Sequence, residues 1–140
     1  MRPYWRNLLY GGSPVALTGN TDVTLLSSAE RTATVNSADQ QAYFARGVYV
    51  YLVVSAVVDS PSVVLKIQGK LPDGTYIDLL TATAVTGAGT TVYLLYPVSS
   101  VAAAPVTKVA NWPIPLNWRV RVEHGDADAI TYSVQATVVI

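Results

Sequence analysis

The chain has 140 residues, of which 51% are hydrophobic and 13% charged, and nine basic residues balance nine acidic ones. This is the length of one domain, and the apolar content excludes a disordered chain. A non-specific nucleic-acid binder would need a basic excess, which is lacking. The absence of cysteine excludes disulfides, thiolate metal sites and a cysteine nucleophile. Charge this sparse protects a surface poorly against association, so we expect the protein to function in an assembly.

No segment of the sequence predicts a membrane helix or a secretory leader. The longest apolar run, residues 47–58, is shorter than the about 20 residues that a membrane-spanning helix needs. The first residues are not followed by the apolar region and small-residue cleavage site of a signal peptide. We therefore expect a protein that is made in the cytoplasm and has no membrane partner.

Residues 1–20 are predicted to form an extended arm that precedes a single domain at residues 21–140. The arm carries large apolar side chains and then a Gly-Gly-Ser-Pro break at residues 11–14. Tyrosine, tryptophan and arginine are enriched at interface hot spots, so one interpretation is that the arm binds a partner. The other interpretation is that it folds back onto its own domain. The predicted partner-binding residues of the arm are Tyr4, Trp5, Arg6, Leu8, Leu9 and Tyr10.

The rest of the chain favours β-strands. Valine, threonine and tyrosine dominate its composition, and apolar residues recur with a period of two. Strands are predicted at residues 22–28 and 90–96, with a weaker candidate at residues 31–35. Residues 48–58 are apolar on both faces, so we expect a central strand that is covered on both sides, or covered on one side by another subunit.

Two hairpins are predicted where alternating segments flank turn residues. In the first, residues 63–71 and 76–79 alternate around a Pro-Asp-Gly turn, with Ile77 and Leu79 on the same face. In the second, residues 118–123 and 130–140 alternate around a turn at residues 125–128. One buried and one solvated face is typical of antiparallel sheets. The predicted fold is an all-β, antiparallel, jelly-roll-like β-sandwich of about eight strands.

A long proline-rich loop is predicted at residues 97–117. It holds four prolines, and between residues 79 and 118 the only charged side chain is Lys108. A loop of about 20 residues inside a compact domain is usually functional or disordered, and its apolar content argues against disorder. We expect this loop to lie against a partner or another subunit. Its predicted contact residues are Val101, Val106, Val109 and Trp112.

The sequence contains few residues that could form a catalytic site, and we predict no enzyme activity, metal or cofactor. The one histidine, His124, is followed by a turn. It is either a general base oriented by Asp126 or Asp128 or, more simply, a strand-end histidine. The same aspartates with Glu123 lack the further positions of a calcium loop. Residues 87–89 have no helix after them to bind phosphate, and no serine-hydrolase elbow is present.

Two sets of side chains are candidates for contact with a sugar or an acidic partner. The first is an outward row expected on two neighbouring strands: Arg119, Arg121, Glu123, Gln135 and Thr137. The second is a set of aromatic residues: Tyr49, Tyr51, Tyr93 and Tyr96. A solvated sheet face explains the first set more simply, and cross-strand pairing explains the second.

Several of these segments together resemble a known protein family. They are residues 45–52, 65–70, 73–76, 96–97, 117–124 and 130–134, the last two containing Trp-Arg-Val-Arg-Val-Glu-His and Ile-Thr-Tyr-Ser-Val. This pattern resembles small β-sandwich virion proteins of tailed bacteriophages, of the capsid decoration (cement) type. Their genes commonly lie near the gene of the major capsid protein. The resemblance covers about residues 45–140, leaves out the arm, and carries no catalytic residues.

The resemblance implies a structural function in the virion. A decoration protein binds the outside of the phage head and stabilises contacts between subunits of the major capsid protein, which is then the expected partner. We also expect a homo-oligomer, a trimer, because such proteins often lie on local symmetry axes. A head–tail or tail component is the alternative within the virion. A carbohydrate-binding module is the alternative from another class.

Overall fold

The computed structural model describes residues 19–97 and 102–140, and these residues form ten β-strands and no helix. The strands are β1 (Thr21–Arg31), β2 (Val35–Asn36), β3 (Gln40–Gln41), β4 (Gly47–Val57), β5 (Val63–Lys70), β6 (Tyr76–Thr81), β7 (Gly89–Leu95), β8 (Val106–Ala110), β9 (Asn117–His124) and β10 (Ile130–Val139). The all-β prediction is therefore confirmed. The part of the chain that the structure describes has no helix that could span a membrane.

The strands form two sheets that enclose one core. Sheet A has the order β1-β10-β4-β7-β8, and sheet B has the order β2-β9-β5-β6, with β3 also paired to β9. All pairs are antiparallel except β7 with β8. β4 is central in sheet A, as the apolar run at residues 48–58 predicted. The β-sandwich prediction is confirmed.

The core is built by alternate side chains of the central strands. β4 contributes Val48, Val50, Leu52 and Val54, and β9 contributes Trp118, Val120 and Val122. Burial of each such side chain stabilises the fold by about 1.5–3 kcal/mol relative to exposure. These two strands belong to different sheets, so the alternating pattern of the sequence is what holds the sandwich closed.

The first predicted hairpin is present as β5–β6. Its turn has Gly74 at φ 92°, a conformation that glycine adopts without strain. The Asp73 carboxylate accepts a hydrogen bond from the Thr75 amide at 2.9 Å. A register shift between Ile67 and Gln68 breaks the expected alternation in β6. As a result Leu79 and Leu80 are both buried, while Ile77 is exposed.

The second predicted hairpin is wrong in its pairing. β9 lies in sheet B, where it pairs with β5, and β10 lies in sheet A between β1 and β4. The turn after His124 therefore carries the chain from one sheet to the other. The sequence pattern is the same in both arrangements, because two strands that face each other across a core also have one buried side each.

Two other segments differ from their predictions. Residues 31–35 do not form one strand, because β1 ends at Arg31 and the chain then crosses to β2 in the opposite sheet. Arg31 anchors this crossing: its guanidinium donates to the Tyr132 carbonyl at 2.7 Å. The proline-rich segment is not loop throughout, since it contains β8 at the edge of sheet A. A five-residue parallel edge strand without clear alternation leaves little trace in the sequence.

Candidate interaction surface

The outer face of sheet A carries a patch of apolar side chains. On β4, Tyr49, Tyr51 and Val53 alternate with core residues and are half-buried. Their neighbours on β7 and β8 continue the same face. We call this set the A-face patch; it consists of Tyr49, Tyr51, Val53, Val92, Leu94, Val106 and Val109.

Strand register arranges the patch in two rows. Tyr49 lies opposite Leu94, which lies opposite Val109. Tyr51 lies opposite Val92, which lies opposite Val106 in the same way. The structure thus brings two predicted contact residues of the proline-rich segment, Val106 and Val109, onto the same sheet face as Tyr49 and Tyr51, with β7 between them. This is the face of β4 for which a further layer of the same chain or another subunit was the expected cover. No sequence signal links these segments, because the link is the parallel pairing of β7 with β8.

The patch ends in a polar margin towards β1. The rings of Tyr49 and Tyr51 lie nearly parallel, at an angle of 4° with centroids 6.4 Å apart. The Tyr51 hydroxyl donates to Thr137 Oγ1 at 3.0 Å, and that hydroxyl donates to Asp22 Oδ1 at 2.7 Å. A groove of about 320 Å³ opens here, and its polar lining includes Asp22, Thr24, Tyr51, Gln135 and Thr137.

The outer face of sheet B is different, because it carries a network of charges. Lys66 Nζ lies 3.1 Å from Asp78 and 3.0 Å from Glu123. The hydrogen bond from Lys66 is the main cause that lowers the pKa of Glu123, and the hydrogen bond to Glu123 likewise raises the pKa of Lys66. Arg119 lies over the Tyr76 ring, 3.5 Å from its centroid.

Gln135 and Thr137 do not extend this charged row, contrary to expectation. They lie on β10 in sheet A, whereas Arg119 and Arg121 lie on β9 in sheet B. The predicted single row is thus divided between opposite faces of the domain. The two outer faces of the domain therefore differ in charge. Sheet B presents paired charges to solvent, whereas the A-face patch has no charged member. An uncharged apolar patch with a polar rim is typical of a protein interface.

The other predicted site residues lie elsewhere. Trp112 is not in the A-face patch; it lies in the connection between β8 and β9 and is 52% exposed. Tyr93 is a core residue, 2% exposed, so it cannot stack on a ligand. The six predicted residues of the arm, and Val101, lie outside the described residues.

The His124 region is built as a turn. His124 Nε2 lies 2.9 Å from the Tyr132 hydroxyl, so the ring contacts a buried tyrosine and not a carboxylate. Asp126 accepts from the Asp128 amide at 3.1 Å, and Asp128 accepts from the Ser60 amide at 3.2 Å. These aspartates hold the backbone of the turn. Within residues 19–97 and 102–140, no group of three or more acidic or histidine side chains is placed to hold a metal ion.

Comparison with known proteins shows a shared fold. No protein-family model matches the sequence, and no curated protein matches it. The SPBc2 prophage-derived protein YomS is similar in structure, with 13% identity and a TM-score of 0.50 over 86% of this chain and 93% of that chain. A chain of infectious bursal disease virus, Gx strain, has 12% identity and a TM-score of 0.50 over 86% of this chain. This chain spans 32% of the length of that viral chain.

Proposed function

We propose that this chain is a structural virion protein: a decoration protein that binds the outside of a tailed-phage head through the A-face patch. The observation that carries the proposal is the contrast between the A-face patch, which has no charged member, and the charged outer face of sheet B. The resemblance of residues 45–140 to phage decoration proteins supports it. So does a fold shared with a prophage-derived protein and with a viral chain.

The size of the sandwich suits this function. The structure has a solvent-accessible surface of 7940 Å², and a standard interface takes about 800 Å² from each partner. One sheet face can supply that area. Because the patch lies on paired strands, its backbone is already ordered, so docking costs less conformational entropy than the ordering of a loop would. A capsid lattice gains stability from added contact area at its subunit junctions, with the major capsid protein as the partner.

Co-sedimentation with undecorated heads of the virus that encodes the chain tests this proposal. Val106→Asp and Val109→Asp each place a charge in the patch on an edge strand, where the core is least disturbed. Burial of an unpaired charge is costly, and each 1.4 kcal/mol is a factor of ten in affinity, so we expect binding at least about tenfold weaker. Thr81→Asp, an exposed position on β6, is the matched control.

The outcomes separate the alternatives. Loss of head binding in both patch variants, with the control unchanged, supports the proposal. Equal binding by all three variants contradicts the assignment of the A-face patch. Co-sedimentation with purified tails but not with heads favours the alternative of a head–tail or tail component.

A second candidate function, carbohydrate binding, is favoured by the groove beside the patch. Asp22, Gln135 and Thr137 offer a carboxylate acceptor, an amide and a hydroxyl there, and Tyr51 offers an aromatic ring. Hydrogen-bond donors and acceptors beside a ring are the groups that contact sugar hydroxyls and sugar faces. This candidate is tested by titrating the protein with a panel of soluble polysaccharides and measuring its NMR chemical shifts at each addition. Gln135→Ala should weaken any binding seen. A panel that shifts no groove residue excludes this candidate.

A further inference from the structure

One end of the sandwich exposes large apolar side chains. Phe44 is 75% exposed, Tyr43 is 61% exposed and Trp112 is 52% exposed. They lie in two connections, residues 42–46 before β4 and residues 111–116 before β9. We call this set the end surface; it consists of Tyr43, Phe44, Trp112, Leu116 and Ile140, all exposed.

Backbone hydrogen bonds tie the segments of the end surface together. The Ala42 amide donates to the Leu116 carbonyl at 2.8 Å, and the Ile114 amide donates to the Arg46 carbonyl at 3.0 Å. The Arg46 amide donates to the Val139 carbonyl at 2.8 Å, next to Ile140. The exposed side chains therefore lie on segments that are joined at one end of the domain, and one of these segments also carries the exposed Arg46. A cluster of large exposed apolar side chains on adjacent segments marks an interaction site.

The backbone conformation and the exposure of Phe44 indicate that an apolar partner covers the end surface. Its φ is 60°, in the left-handed region, where glycine, asparagine or aspartate avoids the strain that a bulky side chain incurs. A phenylalanine that is both strained and 75% exposed is unfavourable for the isolated domain on two counts. Contact of its ring with an apolar partner removes the second cost.

The N-terminal part of the chain joins the domain at the same end. Asn20 Oδ1 accepts from the Ile140 amide at 3.1 Å, so residues 1–18 continue from the rim of the end surface. Within residues 4–10, five of seven side chains are large and apolar. The nine residues 11–19 span up to about 30 Å, whereas packed sheets are about 10 Å apart. The segment can therefore reach every part of the end surface.

We infer that the end surface is the docking site for residues 4–10 of the same chain. A short tether holds the segment at an effective concentration in the millimolar range, so weak contacts suffice to keep it bound. The docked segment covers Phe44 and Trp112 with its own apolar side chains. This inference goes beyond the proposed function and does not depend on it, because it concerns the free protein.

The absence of native cysteine allows a direct crosslinking test. In the full chain, Asn7→Cys lies within the segment and leaves its apolar residues intact, and Leu116→Cys lies in the end surface. The control pair combines Asn7→Cys with Asp73→Cys, an exposed polar turn at the same end of the domain. Under a mild oxidant we expect the first pair to form an intramolecular disulfide at least about tenfold faster than the control pair.

The products distinguish the possible occupants. A fast monomer-sized product supports the inference. Equal rates for the two pairs overturn it, because a segment that is merely tethered samples both positions. A dimer-sized product in the first pair also overturns it, because the occupant is then a second copy.

A second variant shows whether the apolar ring causes the docking. Phe44→Asn keeps a residue that tolerates positive φ, so the backbone of the turn is retained. Added to the first cysteine pair, it should slow the disulfide to the rate of the control pair. Val58→Asn, at an exposed apolar position of the opposite end, should leave the rate unchanged. An unchanged rate in Phe44→Asn overturns the inference, with a melting curve as the check on folding.

Discussion

The Nε2 atom of His124 lies 2.9 Å from the hydroxyl of Tyr132, and this contact joins the end of β9 in sheet B to β10 in sheet A. Burial is the main cause that lowers the pKa of His124, while the charge of Asp126 opposes it and that of Arg31 adds to it. Burial also raises the pKa of Tyr132 to about 12. Both groups are therefore neutral at pH 7, and the folded state resists protonation of the histidine.

This resistance predicts an acid dependence of stability. The pKa of His124 is lower in the folded chain than in the unfolded chain, so the unfolded chain binds the proton more readily. The stability that the folded chain gains from neutral His124 is fully present above about pH 6.5, the pKa of a histidine in an unfolded chain. It is lost as the pH falls through the pKa that His124 has in the folded chain. We expect the free energy of unfolding of the His124→Gln variant to depend less on pH between about pH 7 and pH 5 than that of the unmodified protein, as measured by urea titration. Equal slopes for the two proteins would contradict this.

Gly47 is predicted to be essential for the close packing of the start of β4 against the end of β7. A Cβ atom there would lie 2.3 Å from the Leu95 carbonyl oxygen and 2.6 Å from Tyr96 Cδ2. We expect Gly47→Ala to lower the free energy of unfolding by about 2–4 kcal/mol, because backbone must move. Gly87→Ala, where a Cβ atom meets nothing within 4 Å, is the control and should change it by less than about 1 kcal/mol. Chemical denaturation measures both.

The charge network of sheet B is predicted to contribute little to stability. Lys66 contacts two carboxylates, but the group remains accessible to solvent, with 19% of its side chain exposed. We expect Lys66→Met to change the free energy of unfolding by less than about 1 kcal/mol, and by still less in high salt. Thermal melts at low and high salt check this. A large loss that salt does not reduce would show that packing of the lysine stem, and not its charge, matters.

Self-association is a further prediction. A domain of zero net charge with 13% charged residues is poorly protected against contact between copies, and a trimer is the expected assembly. Sedimentation-velocity runs at micromolar concentration should show a species of three times the mass of the chain. An unmodified protein that sediments as a stable monomer would refute the oligomer.

The sequence predicts local features of this fold well and long-range pairing poorly. The β5–β6 hairpin follows from its own turn residues, so it could be found from residues 63–79 alone. The pairing of β10 with β1 and β4 could not, because period-two alternation identifies the buried side of a strand but not its neighbour. For this reason the sequence predicts a hairpin at a place where residues 125–129 instead carry the chain from sheet B to sheet A.

The candidate surfaces show the same division. Val106 and Val109 could be singled out because their segment has a single charged side chain, Lys108, yet their position on the same face as Tyr49 and Tyr51 depends on the parallel β7–β8 pair. Phe44 could not be singled out, because its positive φ and its exposure are set by how residues 42–46 bond to the distant residues 114 and 116. Tertiary contacts, and not local preference, define both surfaces.

The position of β10 in sheet A bears on how the chain is synthesised. Thr21 pairs with Val138, and Val48 pairs with the same residue from the other side, so β1 and β4 have no partner between them until residues 130–139 have left the ribosome. Contacts this distant in sequence also make folding slow. The nascent chain therefore carries β1 and the apolar strand β4 with one unpaired edge each until β10 is available, and unpaired strand edges are sites of aggregation during folding.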